Sequence, residues 1–218
     1  MELPSPPLLL VTDRKQAVAP LDQILEAAFA AGCRWASVRE KDLDEAEQAA
    51  LAKRLLPIAR KWQARLTLHG DPRLAREAGL DGVHLAASGN VGAARQVLGQ
   101  VALIGISVHH ADEAGALDPD LVDYAIAGPA YGTASKPGYG PALGAAGLQE
   151  IARVTPGPIL AIGGIRPDNV KEMRGAGAAG VAVMGSVMRA KEERGRGNPG
   201  RLKIPHESLP SLNGPRGR

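Results

Sequence analysis

Three groups of residues in this 218-residue chain have types and spacings suited to holding phosphate esters. The first is a pair of short turns, Ile162-Gly163-Gly164-Ile165 and Met184-Gly185-Ser186, each placed directly after an apolar run. Glycine lets backbone N–H groups approach an anion closely, and a helix opening after such a turn adds a favourable dipole. A second group is Arg39-Glu40-Lys41, where strand alternation puts Arg39 and Lys41 on one side. Two like charges side by side are unfavourable unless they share an anion, and a diphosphate is such an anion. The third is a long loop, Gly128-Pro129 through Gly140, in which Thr133, Ser135 and Lys136 supply two hydroxyls and an ammonium within four residues. Long loops in compact domains are usually functional. His69, His84 and His109 each fall at or near the end of an apolar run and are candidates for acid–base work, against the plainer reading of structural histidines. His110 is expected to be exposed, and no two-His-plus-carboxylate spacing suggests a metal site.

The elements that must carry these groups show themselves as a repeat. Ala31-Gly32-Cys33-Arg34-Trp35-Ala36-Ser37-Val38, Ala78-Gly79-Leu80-Asp81-Gly82-Val83-His84-Leu85 and Ala176-Gly177-Ala178-Ala179-Gly180-Val181-Ala182-Val183 read alike. Each glycine takes the left-handed position that stops a helix, and the chain then turns into a buried strand. Leu21, Ile24, Leu25 and Ala28 mark one helix face, and a long helix is expected over roughly Asp44 to Gln63. Strands are expected near Leu8–Thr12, Trp35–Val38, Leu66–Leu68, Gly82–Leu85, Leu103–Ile106, Tyr124–Ala127, Ile159–Ile162 and Val181–Met184. Eight strands alternating with helices predict a single α/β domain, a (β/α)₈ TIM barrel over residues 1–194. A flavodoxin-like doubly wound sheet is the competing architecture, but it would use five or six strands. In a barrel the residues just after the strands face the active mouth, and phosphate commonly binds after the seventh and eighth.

Composition supports this and excludes other classes. Aromatics are only 3% of the chain, so the core is Val, Ile, Leu and Ala, as parallel strands under helices require. The net charge is +3, yet residues 195–218 carry five basic residues against Glu207 alone, so the first 194 residues sum to −1. The basicity lies in a Gly/Pro/Arg-rich tail, expected to be disordered, and nucleic-acid binding is not indicated. Cys33 is the sole cysteine, which excludes an intrachain disulfide. No signal pattern or membrane-length apolar run is seen, so a cytoplasmic protein without membrane contact is expected, with a homo-oligomer allowed.

These residues, taken in order, resemble the thiamine phosphate synthase family and its TenI-type relatives, over about residues 7 to 190. The resemblance rests on Leu10-Val11-Thr12-Asp13, Val38-Arg39-Glu40-Lys41-Asp42, Asp81-Gly82-Val83-His84-Leu85, Gly105-Ile106-Ser107-Val108-His109, Gly128-Pro129 with Thr133-Ala134-Ser135-Lys136, Ala161-Ile162-Gly163-Gly164-Ile165 and Gly180-Val181-Ala182-Val183. It implies a (β/α)₈ barrel that joins hydroxymethylpyrimidine diphosphate to a thiazole phosphate: diphosphate departs, a pyrimidinyl cation forms, and the thiazole nitrogen captures it. It also implies diphosphate contacts at Arg39, Lys41, Thr133, Ser135 and Lys136, and thiazole-phosphate contacts at Gly163, Gly164, Gly185 and Ser186.

The chain departs from that pattern at three places. The synthase usually has Asn-Asp after strand three and a second Asp after strand four, which hold magnesium. Here stand His69-Gly70 and Ala86-Ala87-Ser88-Gly89, with Asp71 one residue out of register, and Ser37 occupies the usual glutamine position. Mg²⁺ therefore lacks its expected carboxylates. Two alternative readings follow from the resemblance. One is a TenI-type thiazole tautomerase, a metal-independent proton transfer that would need His69, His84 or His109, because the tautomerase's usual histidine aligns with Pro129. The other is a barrel that binds thiazole or thiamine phosphate without turnover.

Overall fold

The computed structural model describes residues 2–132 and 141–190. Thr133, Ser135, Lys136 and the basic tail lie outside the described residues. The rest forms eight parallel strands closed in chain order, the first pairing with the last. They are β1 (Leu8–Val11), β2 (Trp35–Val38), β3 (Arg65–His69), β4 (Gly82–Leu85), β5 (Leu103–Val108), β6 (Tyr124–Ala127), β7 (Ile159–Ile162) and β8 (Gly180–Val183). Helices follow each strand: α1 (Leu21–Ala30), α2 (Glu45–Lys61), α3 (Pro72–Glu77), α4 (Val91–Leu98), α5 (Ala111–Gly115), α6 (Gly144–Val154), α7 (Val170–Gly175) and the single turn α8 (Gly185–Met188). This is the predicted (β/α)₈ barrel, and closure in order rules out the doubly wound sheet.

Local chemistry explains the elements. Gly32, Gly79 and Gly177 have φ of +101°, +68° and +100°, so the repeated glycine is the helix stop that its sequence position implied. Helix α1 buries Leu21, Ile24, Leu25 and Ala28, the face read from their spacing. Helix α2 starts at a capping box: the Asp44 carboxylate accepts from Glu47 N at 2.8 Å, and Glu47 accepts from Asp44 N at 3.0 Å.

Two strands run further than their apolar runs. Strand β3 takes in Arg65 and His69, and β5 extends through Ser107 and Val108. The reason is the ladder: His69 lies opposite His84 and Ser107 opposite Ile126, so pairing continues past the first polar residue. That residue points inward rather than ending the strand.

Two apolar layers result. A large one lies between barrel and helices. A small one fills the barrel itself with Leu9, Val11, Trp35, Leu103, Tyr124, Ile126, Leu160 and Ala182, each from an alternate strand position. Trp35 and Tyr124 meet edge to face with ring centroids 4.7 Å apart and plug the middle. Gly105 makes room for them: a Cβ there would lie 2.0 Å from Tyr124 Cζ. The opposite end from the mouth is tied by a buried ion pair. Arg95 donates to the Asp123 carboxylate at 2.9 Å and to the carbonyls of Gly99, Ala102 and Leu121, while Asp123 accepts from Ile104 N.

Candidate active site

Above the Trp35–Tyr124 plug the barrel opens into a cavity of about 390 Å³ at the carboxyl ends of the strands. Strand alternation decides what lines it. On β2, Trp35 is in the plug, and Ser37 and then Arg39 follow on the same inward face. On β3 and β4 that face presents His69 and His84, and on β5 Ser107 and then His109. Gly128 follows β6, Gly163 and Gly164 follow β7, and Gly185 and Ser186 follow β8. The three histidines, Ser37, Arg39 and both glycine turns singled out from the sequence therefore share one space. Lys41 does not join them: its side chain is exposed and is not on the cavity wall. The alternation that would have kept it beside Arg39 stops, because the strand ends at Val38.

What sets the Arg39 segment is its middle residue. Glu40 is 3% exposed. Its carboxylate accepts from Thr12 Oγ1 at 2.7 Å and from Arg14 N at 3.1 Å. The Thr12 hydroxyl in turn accepts from Arg39 N at 2.9 Å. Glu40 is thus a pin between the ends of β1 and β2. Burial raises its carboxyl pKa, while Thr12 and Arg14 pull it back down. Burial also lowers the Lys41 ammonium, and the charge of Arg39 lowers it further.

The histidines divide by environment. His84 is 2% exposed and stacks on Tyr124 at 5.6 Å, with His69 at 5.1 Å on its other neighbour position. Burial first, and then the charge of Arg39, push its pKa down to about 3, so its imidazole is neutral at physiological pH. Its Nε2 lies 2.9 Å from Ser107 Oγ. Its Nδ1 and Ser37 Oγ, both on residues that line the wall, are buried with no hydrogen-bond partner among the described residues, so both have hydrogen-bonding capacity for a ligand. His109 Nδ1 is 2.9 Å from the Gly128 carbonyl. A carbonyl only accepts, so Nδ1 carries the proton there.

The glycine turns are shaped by packing as well as by any anion. Gly163 and Gly164 have φ of +99° and +63°, and a Cβ on either would lie within 2.9 Å of the segment Pro129–Tyr131. That segment is laced to β7 by Ala130 N to the Ile162 carbonyl and Tyr131 N to the Gly163 carbonyl. Two charged lining residues were missed in the sequence, Arg166 and Arg189. Both had a readable signal: Arg166 stands two residues beyond Gly164, and Arg189 stands three beyond Ser186, one helical turn on.

The donor set at the mouth does not suit magnesium. Among the described residues no group of three His, Cys, Asp or Glu is placed to hold a metal, and no carboxylate lines the cavity. Asp71 is the N-cap of α3, accepting from Arg73 N at 2.7 Å and pairing with the Arg73 guanidinium at 2.7 Å. Asp13 accepts from the Gln16 amide and from Lys15 N.

Residues 8–187 match the family model described as thiamine monophosphate synthase, TMP-TENI. A Geobacter sulfurreducens protein, provisionally named a thiamine-phosphate synthase, is 37% identical over 191 residues, covering 87% of this chain and 90% of the relative. A thiamine-phosphate synthase of Roseiflexus castenholzii is 34% identical over 185 residues, covering 84% and 81%. Among solved structures, thiamine phosphate pyrophosphorylase from Pyrococcus furiosus superposes with a TM-score of 0.74 at 28% identity, covering 84% of this chain and 88% of that one.

Proposed function

Because the chain belongs to the thiamine monophosphate synthase family, we propose that it joins hydroxymethylpyrimidine diphosphate to a thiazole phosphate and releases diphosphate. The observation that carries this is one cavity lined both by Arg39 and by the Gly163–Gly164 and Gly185–Ser186 turns. A diphosphate and a phosphate monoester can then share one apolar-floored space. In the reaction the bond between the pyrimidine methylene carbon and the diphosphate oxygen breaks, and its electron pair leaves with diphosphate. The thiazole nitrogen lone pair then forms the new C–N bond. Arg39 stabilises the departing charge, aided by Thr133, Ser135 and Lys136 as the resemblance implies, while Lys41 stands off the wall. Ser37 and the neutral His84 offer hydrogen bonds to the heterocycle, and the ring stack beneath them keeps water from the cation. At the places of the family's usual magnesium ligands this chain carries His69-Gly70 and Ala86-Ala87-Ser88-Gly89, which offer no carboxylate.

Three histidines on the same wall favour a second reading, a thiazole tautomerase, in which His69, His84 or His109 moves a proton on a thiazole phosphate carboxylate. One assay separates the two. Incubation with both synthase substrates, with and without magnesium, should yield thiamine phosphate by mass spectrometry. No product at high enzyme concentration would sink the synthase reading. Aromatisation of the thiazole phosphate in EDTA, lost in one histidine variant, would establish the tautomerase. Ligand binding with neither activity would mark a barrel that binds without turnover.

A further inference from the structure

The wall of the cavity carries three guanidinium groups, Arg39, Arg166 and Arg189, and no carboxylate among the described residues. The carboxylates nearest the mouth are engaged elsewhere. Glu40 is buried on Thr12 and Arg14, and Asp71 is clamped by Arg73. Glu113 accepts from His109 N at 2.6 Å, and Glu172 accepts from the Tyr131 hydroxyl. Turning any of these into a metal ligand would break contacts that hold a loop in place.

The cations are placed where the anions would sit. Arg166 follows the Gly163–Gly164 turn and Arg189 closes the single-turn helix that begins at Gly185. Each therefore flanks one of the two glycine turns. The Arg166 side chain has a weak competitor for a phosphate. Arg166 bonds Asp168 at 3.2 Å with both side chains 68% exposed, and such surface pairs contribute little. Arg189 lines the cavity with one of its nitrogens donating to the Gln16 amide oxygen. A guanidinium matches phosphate with two parallel hydrogen bonds, which a hydrated ammonium does not.

We propose that this cavity neutralises its phosphoanions with guanidinium groups instead of a divalent metal, Arg166 and Arg189 joining Arg39 in that role. The inference rests on the phosphate-site part of the synthase reading, yet the two can fail separately. Calorimetric titration of the full chain with inorganic diphosphate tests it, in EDTA and then in excess magnesium, beside a titration with magnesium alone. Diphosphate should bind in EDTA, with magnesium tightening it by less than about twofold. Arg39→Gln should weaken diphosphate by about tenfold, and Arg166→Gln and Arg189→Gln should each weaken inorganic phosphate, titrated in EDTA in the same way, by about tenfold, the usual worth of a charge-assisted pair. Asp44→Ala, which is not on the cavity wall, should bind as the parent does, and thermal melts establish that each variant is folded. Binding that needs magnesium, no binding in either condition, or unchanged affinity in the Arg166 and Arg189 variants would overturn the proposal. Product formed only with magnesium would overturn it while leaving the synthase reading intact. Metal-free diphosphate binding without product would support it and sink the synthase reading.

Discussion

Glu40 and His84 are the two residues where burial has most to say about function. Glu40 touches no cavity, yet through Thr12 it holds the backbone of Arg39. Glu40→Ala should cost about 1–3 kcal/mol of stability, the usual cost of leaving buried donors unpaired. It should also raise KM for the pyrimidine diphosphate more than it lowers kcat. Equal kinetics in parent and variant would show that the pin does not position Arg39. For His84 the sign follows from its depressed pKa. The unfolded chain takes up a proton near the ordinary value of 6.5, whereas the folded chain does so only near about 3. Stability is therefore full above about pH 6.5 and is lost as pH falls toward about 3. Urea unfolding across that range should show a shallower pH slope in His84→Gln, and an identical slope would refute the assignment. The sequence placed His84 at a strand end. It did not reveal the Tyr124 stack or the approach of Arg39, because both come from other strands.

At the level of elements, the glycines and the far-end ion pair separate packing from chemistry. Gly105→Ala drives a methyl into the Tyr124 ring. It should destabilise by about 1–3 kcal/mol or more, as overpacked cores do, measurable by chemical denaturation. Arg95→Ala strips the buried Asp123 of its guanidinium partner at the end of the barrel away from the mouth. A loss of about 3–5 kcal/mol is expected, with substrate KM values unchanged in whatever fraction remains folded. A shifted KM would mean that the two ends are coupled. The repeat of helix stop and strand was legible in local residues, since a positive φ at Gly32, Gly79 and Gly177 is a local demand. The true ends of β3 and β5 were not, since a ladder in a closed barrel continues through inward-facing polar residues that an apolar run treats as its limit.

For the whole molecule, the chain divides by charge, with the first 194 residues near neutral and the last 24 basic. If the barrel is the complete folding unit, as we propose, a chain ending at residue 194 should keep its melting temperature and synthase rate, and a loss of either would make the tail part of the working protein. No helix of the described residues is long and apolar enough to cross a membrane. The sequence by itself determined the eight-fold alternation, the barrel it closes into, and both glycine turns, because periodicity and helix-stopping glycines act within a few residues of where they are written. It also carried the family likeness and the missing carboxylates. Only the tertiary structure decided which charged groups meet. Lys41 leaves the wall because its strand ends at Val38. Glu40 turns from a surface charge into a buried pin, and Arg166 and Arg189 arrive at the cavity from the far end of the chain. Those outcomes depend on barrel closure, which brings residues more than a hundred positions apart to one mouth, and the guanidinium-lined cavity around the two glycine turns exists only once that closure is made.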